Sequence, residues 1–128
     1  LRGLFYEVRT DRASRKLKNR FGKNYNAGEF IFKEEEKGNN MFYIMSGSVR
    51  LAKKGQVLGI MQKGEYFGEM ALLIGTPRTT SAQAEEDNTV VIAITPENFE
   101  TLLREEPRVA VLFLKEFAHR LKKADESL

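Results

Sequence analysis

Between Met41 and Ile94 the chain repeats short apolar stretches separated by turn-forming residues. Met41 to Met45 is a continuous apolar run, consistent with a buried strand. Ser46-Gly47-Ser48 turns it into Val49-Arg50-Leu51-Ala52, where apolar residues alternate with polar or small ones. Lys54-Gly55 has the chemistry of a tight hairpin tip and leads into Val57-Leu58-Gly59-Ile60-Met61. Thr79 to Ala84 and Thr89 to Ile94 repeat the strand pattern. Strands this short and closely spaced predict an antiparallel sandwich or barrel.

The period changes after Ile94. Thr95-Pro96 supplies a cap followed by proline at the first helical position, and Phe99, Leu102 and Leu103 then share one face. Pro107 opens a longer helix in which Val109, Phe113, Phe117, Leu121 and Ala124 recur at helical spacing. The predicted fold is therefore mainly β, an antiparallel β-roll with flanking helices at its end.

A chain of 128 residues, 41% hydrophobic and 30% charged, is enough for one domain with one core and too short for a sensor plus an output domain. No run of about 18 apolar residues predicts a membrane span, and no charged-then-apolar leader suggests export. The absence of cysteine removes any disulfide framework and fits a cytoplasmic setting. A first residue of Leu rather than Met reads as a piece of a longer protein. The net charge of +3 is uneven: residues 1–20 carry seven Lys or Arg against Glu7 and Asp11, a net of +5 that leaves −2 for the remainder. The predicted division is a basic N-terminal arm or helix over 1–20 and the folded domain over 21–128. Such an arm reads first as a solvated tether, and second as a contact for an acidic partner, an acidic membrane surface or nucleic acid. No aromatic residues are interleaved in it at a spacing that would stack bases.

The densest chemistry lies in Phe67 to Ala82, FGEMALLIGTPRTTSA. Gly68 and Glu69 lead into Met70 to Ile74, enough for one or two turns of helix, and the unpaired amides at such a start favour an anion. Nine residues after Glu69, beyond a Gly75-Thr76-Pro77 turn, stands Arg78, whose guanidinium suits the two exocyclic oxygens of a phosphodiester. The carboxylate of Glu69 is then free to accept a hydrogen bond from a ribose hydroxyl. The bland alternative is a Glu69–Arg78 ion pair across the turn.

Phe67-Gly68-Glu69-Met70-Ala71-Leu72, followed by Arg78-Thr79-Thr80-Ser81-Ala82-Gln83-Ala84, resembles the phosphate-binding cassette of the cyclic nucleotide-binding domain family. That family includes protein kinase A regulatory subunits, cyclic-nucleotide-gated channels and catabolite activator protein. Ala27-Gly28-Glu29-Phe30-Ile31-Phe32 and Met41 to Val49 are similar to its early strands, so the resemblance runs from about Phe21 to Lys123. It implies an eight-stranded jelly roll with a short cassette helix inside it and C-terminal helices, the last of which folds over bound nucleotide.

Carried onto this chain, the family's roles give the cyclic phosphate to Arg78 and to the main chain around Gly68, Met70 and Ala71, and the ribose 2′-hydroxyl to Glu69. Thr79 suits either purine, and Thr80 stands where the family usually has alanine. Val49, Leu51, Leu58 and Met61 are candidates for an apolar slot around the base, with plain core as their alternative. Arg120 occupies the position from which some channel relatives contact the base, with Ala124 one turn further on and Phe117 on the same side. Glu35, in the run Glu34-Glu35-Glu36, replaces a glycine usual in the turn after the Ile-Phe strand. Because that turn is remote from the phosphate in the family, it is expected to leave binding unchanged.

The implied function is a regulatory sensor for a cyclic nucleotide, controlling an effector domain in the same or another chain. cAMP is favoured as the commoner ligand among soluble members, with cGMP the alternative. No further cofactor is expected. An enzyme is not expected either: His119 is a lone histidine without partner ligands for a metal, and the chain has no phosphate loop ending in Gly-Lys-Ser or Gly-Lys-Thr. Leu128 follows the last helix too closely for a DNA-reading helix-turn-helix. The alternative is the sensory fragment of a kinase, channel or second-messenger phosphodiesterase.

Overall fold

The computed structural model describes residues 19, 21–105 and 107–126; the basic arm, Asn19 apart, falls outside them. Among the described residues there are eight strands: β1 (Gly22–Tyr25), β2 (Phe30–Phe32), β3 (Met41–Ser46), β4 (Ser48–Lys53), β5 (Gln56–Gln62), β6 (Tyr66–Phe67), β7 (Ser81–Ala84) and β8 (Thr89–Ile94). Helix α1 (Glu69–Ile74) lies between β6 and β7, and α2 (Pro96–Glu105) and α3 (Arg108–Glu126) follow β8. The strands form two antiparallel four-stranded sheets, in the orders β1-β8-β3-β6 and β2-β7-β4-β5. This is the predicted β-roll with flanking helices. Among the described residues no helix is long and apolar enough to cross a membrane.

Side-chain alternation explains why β3 and β8 read as unbroken apolar runs. Phe42, Ile44, Val91 and Ala93 point between the sheets and meet Phe32, Val49, Phe67 and Ala82 of other strands. Their neighbours Met41, Tyr43, Ile92 and Ile94 point outward, where Phe113 of α3 and Phe99, Leu102 and Leu103 of α2 cover them. One sheet is thus buried on both faces, so every position of β8 is apolar or paired.

Local chemistry sets the turns and helix ends. Gly47 has φ 81°, and a Cβ there would fall 2.3 Å from Thr89 Oγ1, so neither the backbone nor the space admits a side chain. Lys54 and Gly55 are both left-handed, at φ 51° and 78°, as a two-residue hairpin tip requires. The Asn98 N–H donates to Thr95 Oγ1 at 3.1 Å, the predicted cap of α2. The predicted face of α3 holds over its first half only. Phe113 is buried and Phe117 half-buried, but Leu121 and Ala124 are exposed, Leu121 beside a shallow cleft that it lines with Met70, Leu73 and Ile74 of α1; the side chain of Val109 lies outside the described set.

Candidate ligand-binding site

Two left-handed glycines delimit α1. Gly68 caps its N-terminus at φ 79° with no side-chain bond, so the first-turn amides have no side-chain partner. Gly75 ends it at φ 69°, its N–H donating to Ala71 O at 3.1 Å. Ala71 is buried and fixes the helix against the body, which leaves Glu69 at its start facing the space beneath α3.

Arg78 is 7% exposed, and its guanidinium lies 4.2 Å from the Phe32 ring centroid and 5.6 Å from that of Phe42. Its Nη1 donates to Gly68 O at 3.2 Å. Among the described residues the side chain makes no ion pair. Burial lowers its pKa from the ordinary value, opposed by the charge of Glu36, but an arginine remains a cation in this setting. The main chain is held on both sides: Arg78 O accepts from the Glu35 N–H at 2.7 Å, and the Arg78 N–H donates to Glu36 O at 3.0 Å. The turn expected to be remote therefore brackets the arginine directly. Glu35 sits in it at φ 67°, the left-handed conformation that glycine takes freely.

Glu69 does not pair with Arg78. Its Oε1 accepts from Arg120 Nη1 at 2.7 Å, while Arg120 Nη2 donates to Tyr66 O at 3.2 Å and the guanidinium stacks 4.0 Å from the Tyr66 ring centroid. One residue of α3 is thus tied to the cassette. The Tyr66 hydroxyl is buried with no hydrogen-bond partner among the described residues. Its pKa is pushed up to about 12, chiefly by burial, with Glu69 and Glu116 adding and Arg120 opposing.

These groups line one cleft of about 390 Å³. Gly68, Glu69, Met70, Ala71, Arg78, Thr79 and Thr80 contribute from the cassette, Leu51 and Met61 from β4 and β5, and Arg120 from α3. Two of the candidates from the sequence lie elsewhere. Val49 is fully buried between the sheets, and Leu58 is 58% exposed. A register shift pairs Leu51 with Gly59 and Ala52 with Val57, which leaves Leu58 as the extra residue on the outer face. Ala124 and His119 are exposed and outside the cleft, and Phe117 packs against Tyr66 and Phe113.

Phe32, Glu65, Tyr66, Phe67, Thr76 and Pro77 also line the cleft and are not among the candidates from the sequence. The last four stood inside or beside the motif and were legible from it. Phe32 was not, because it reaches the site only through the pairing of β2 with β7, opposite Ala82.

A family model described as a cyclic nucleotide-binding domain matches residues 22–106. The cAMP-dependent protein kinase regulatory subunit of Debaryomyces hansenii is 41% identical over 80 residues, 62% of this chain and 18% of that protein. The cGMP-dependent protein kinase of Eimeria tenella is 35% identical over 91 residues, 70% of this chain and 9% of that protein. Among solved structures, the Thermus thermophilus catabolite activator protein matches with a TM-score of 0.79 and 33% identity, over 94% of this chain and 61% of that one. The chain therefore spans less than two thirds of each of these proteins. A match across both sheets and the whole cassette, on a β-roll of this topology, shows that the chain belongs to the cyclic nucleotide-binding domain family of regulatory domains.

Proposed function

We propose that this chain is a sensor whose cleft takes cAMP, and whose terminal helix responds to it and controls an effector in the same or another cytoplasmic chain. The observation that carries this reading is Arg78: a buried cation, without an ion-pair partner among the described residues, in the same cleft as a carboxylate. A buried charge demands compensation, and a cyclic phosphodiester supplies it in the bidentate geometry that guanidinium prefers. The volume lies within the range of small-ligand sites.

In this reading Arg78 and the main chain of Gly68, Met70 and Ala71 hold the phosphate, and Glu69 accepts from the ribose 2′-hydroxyl. Thr79 and Thr80 edge the phosphate and base, and Leu51 and Met61 provide an apolar wall. Arg120 reaches the ligand from α3. The domain binds and signals, and catalysis is left to whatever it controls. A ligand shifts a two-state equilibrium only by its differential affinity, so contacts with α3 supply the switching energy and the cassette supplies the affinity common to both states.

Preference for cAMP rests on the similarity to the D. hansenii regulatory subunit. cGMP is the second reading, favoured by the similarity to the E. tenella kinase and compatible with the hydroxyl at Thr79, which suits either purine. Calorimetric titration of nucleotide-free protein with each nucleotide tests both. Tighter binding of cAMP is expected, tighter binding of cGMP would exchange the two readings, and binding of neither would overturn the assignment.

A further inference from the structure

The sharpest unexplained feature near the cleft is the space around the Arg78 guanidinium. A Cβ built on Gly38 would lie 3.2 Å from Nη2, 3.4 Å from Nε and 3.6 Å from Cζ. A Cβ on Gly68 would lie 3.0 Å from Nη1. The Phe32 ring lies against the same group, its centroid 4.2 Å from Cζ, and the two backbone bonds from Glu35 and to Glu36 fix the chain from which it extends. Gly38, unlike Gly68, has a φ outside the left-handed region, so its backbone does not call for glycine. The three atoms nearest to that Cβ all belong to the Arg78 guanidinium, which is therefore the group a side chain there would press on first.

We infer that the segment from Glu35 to Gly38 is a positioning device for Arg78: its backbone clamp sets the arginine's main chain, and the bare Cα of Gly38 forms one wall of a slot that aims the guanidinium before ligand arrives. The inference rests on the proposed role of Arg78 in binding the cyclic phosphate, and Gly38 acts through Arg78 without touching ligand. Pre-aiming matters because an arginine has several rotatable bonds, and a side chain already confined loses less freedom on binding. Bidentate pairing is directional, so a displacement of a few tenths of an ångström weakens it. The acidic turn, expected from sequence to be neutral for binding, becomes part of the site's framework.

Gly38→Ala tests the slot, because the atoms nearest to the added methyl are the end of the Arg78 side chain and the backbone conformation stays acceptable. cAMP and cGMP titrations on the wild type, Gly38→Ala, Arg78→Lys and the double variant form a cycle. Gly38→Ala is expected to weaken cAMP binding roughly 10-fold, the scale of one impaired charge-assisted hydrogen bond. In the Arg78→Lys background, which lacks the guanidinium, the same change is expected to have no further effect. Wild-type affinity in Gly38→Ala, or an equal loss in both backgrounds, would overturn the inference. Nitrogen-15 NMR of the ligand-free wild type provides a readout independent of any variant's folding. A confined guanidinium gives one slowly exchanging Arg78 Nε–H resonance, whereas fast exchange typical of exposed arginines would exclude the slot. If neither nucleotide binds the wild type, the functional reading fails, while the NMR signal still decides whether the arginine is held.

Discussion

Arg78 combines a full charge, 7% exposure and two phenylalanine rings, and that combination sets the size of the effect expected on its removal. Losing one partner of a buried charge pair costs about 2–5 kcal/mol, so Arg78→Ala should weaken cyclic nucleotide binding by roughly 30- to 3000-fold in calorimetry. Unchanged affinity would remove the phosphate from this residue. Tyr66 gives a second residue-scale prediction. Its hydroxyl is buried without a partner among the described residues, so Tyr66→Phe should leave stability unchanged or raise it by about 1 kcal/mol at neutral pH. The fold raises the phenol's pKa to about 12, so it favours the protonated form. That contribution is complete below the unfolded value of about 10 and is lost as pH rises through 12. In denaturant melts across this window, wild type should lose stability relative to Tyr66→Phe; parallel curves would contradict the assignment. The identities of Arg78 and Glu69 were legible in the motif. The partner of Glu69 was not, since Arg120 lies 51 residues away and meets it only through the docking of α3.

At the scale of elements, α3 does two jobs along its length. Its first half is core: Phe113 is 4% exposed, stacks on Phe117 and meets Tyr66 and Phe99 edge-on. Phe113→Ala should destabilise the domain by about 3–5 kcal/mol in denaturant unfolding, and a loss below 1 kcal/mol would mean that α3 is not anchored there. Its second half carries Arg120 to the cleft and leaves Leu121 exposed. Cutting the chain after Arg108 would therefore strip the core as well as the proposed lid. A cut after His119 spares Phe113 and Phe117 and is the cleaner test: the shortened domain should remain folded but lose nucleotide-induced hydrogen-exchange protection of α1. Retention of full protection and affinity would show that the end of α3 is not the lid. Element positions were largely readable, from Thr95 capping α2 to Lys54-Gly55 turning β4 into β5, because caps and tight turns depend on neighbouring residues. β7 begins at Ser81, two residues later than the sequence pattern suggested, its ladder with β4 ending at the pairing of Ala52 with Ser81.

For the whole molecule, ligand binding and folding are one linked equilibrium. A nucleotide that binds only the folded state adds about 2.7 kcal/mol at 100 times its Kd, which for a domain of this size raises Tm by roughly 10 °C. Differential scanning fluorimetry should show that rise with cAMP in the wild type and lose most of it in Arg78→Ala at the same concentration. Division of labour between the layers makes this coupling direct. The sheet containing β3 and β8 is held on one face by the opposing sheet and on the other by α2 and α3, so Tyr66 and Phe67, adjacent in β6, report to opposite cores. By itself the sequence determined the cassette, the turn glycines, the helix starts and the family, all of which depend on residues close together along the chain. Only the tertiary structure decided that Val49 is core, that Leu58 faces outward, that Phe32 and Gly38 enclose Arg78, and that Arg120 reaches Glu69. Those outcomes turn on strand register, a bulge and helix docking, where one residue of slip reverses a side chain's face and contacts form between segments remote in sequence.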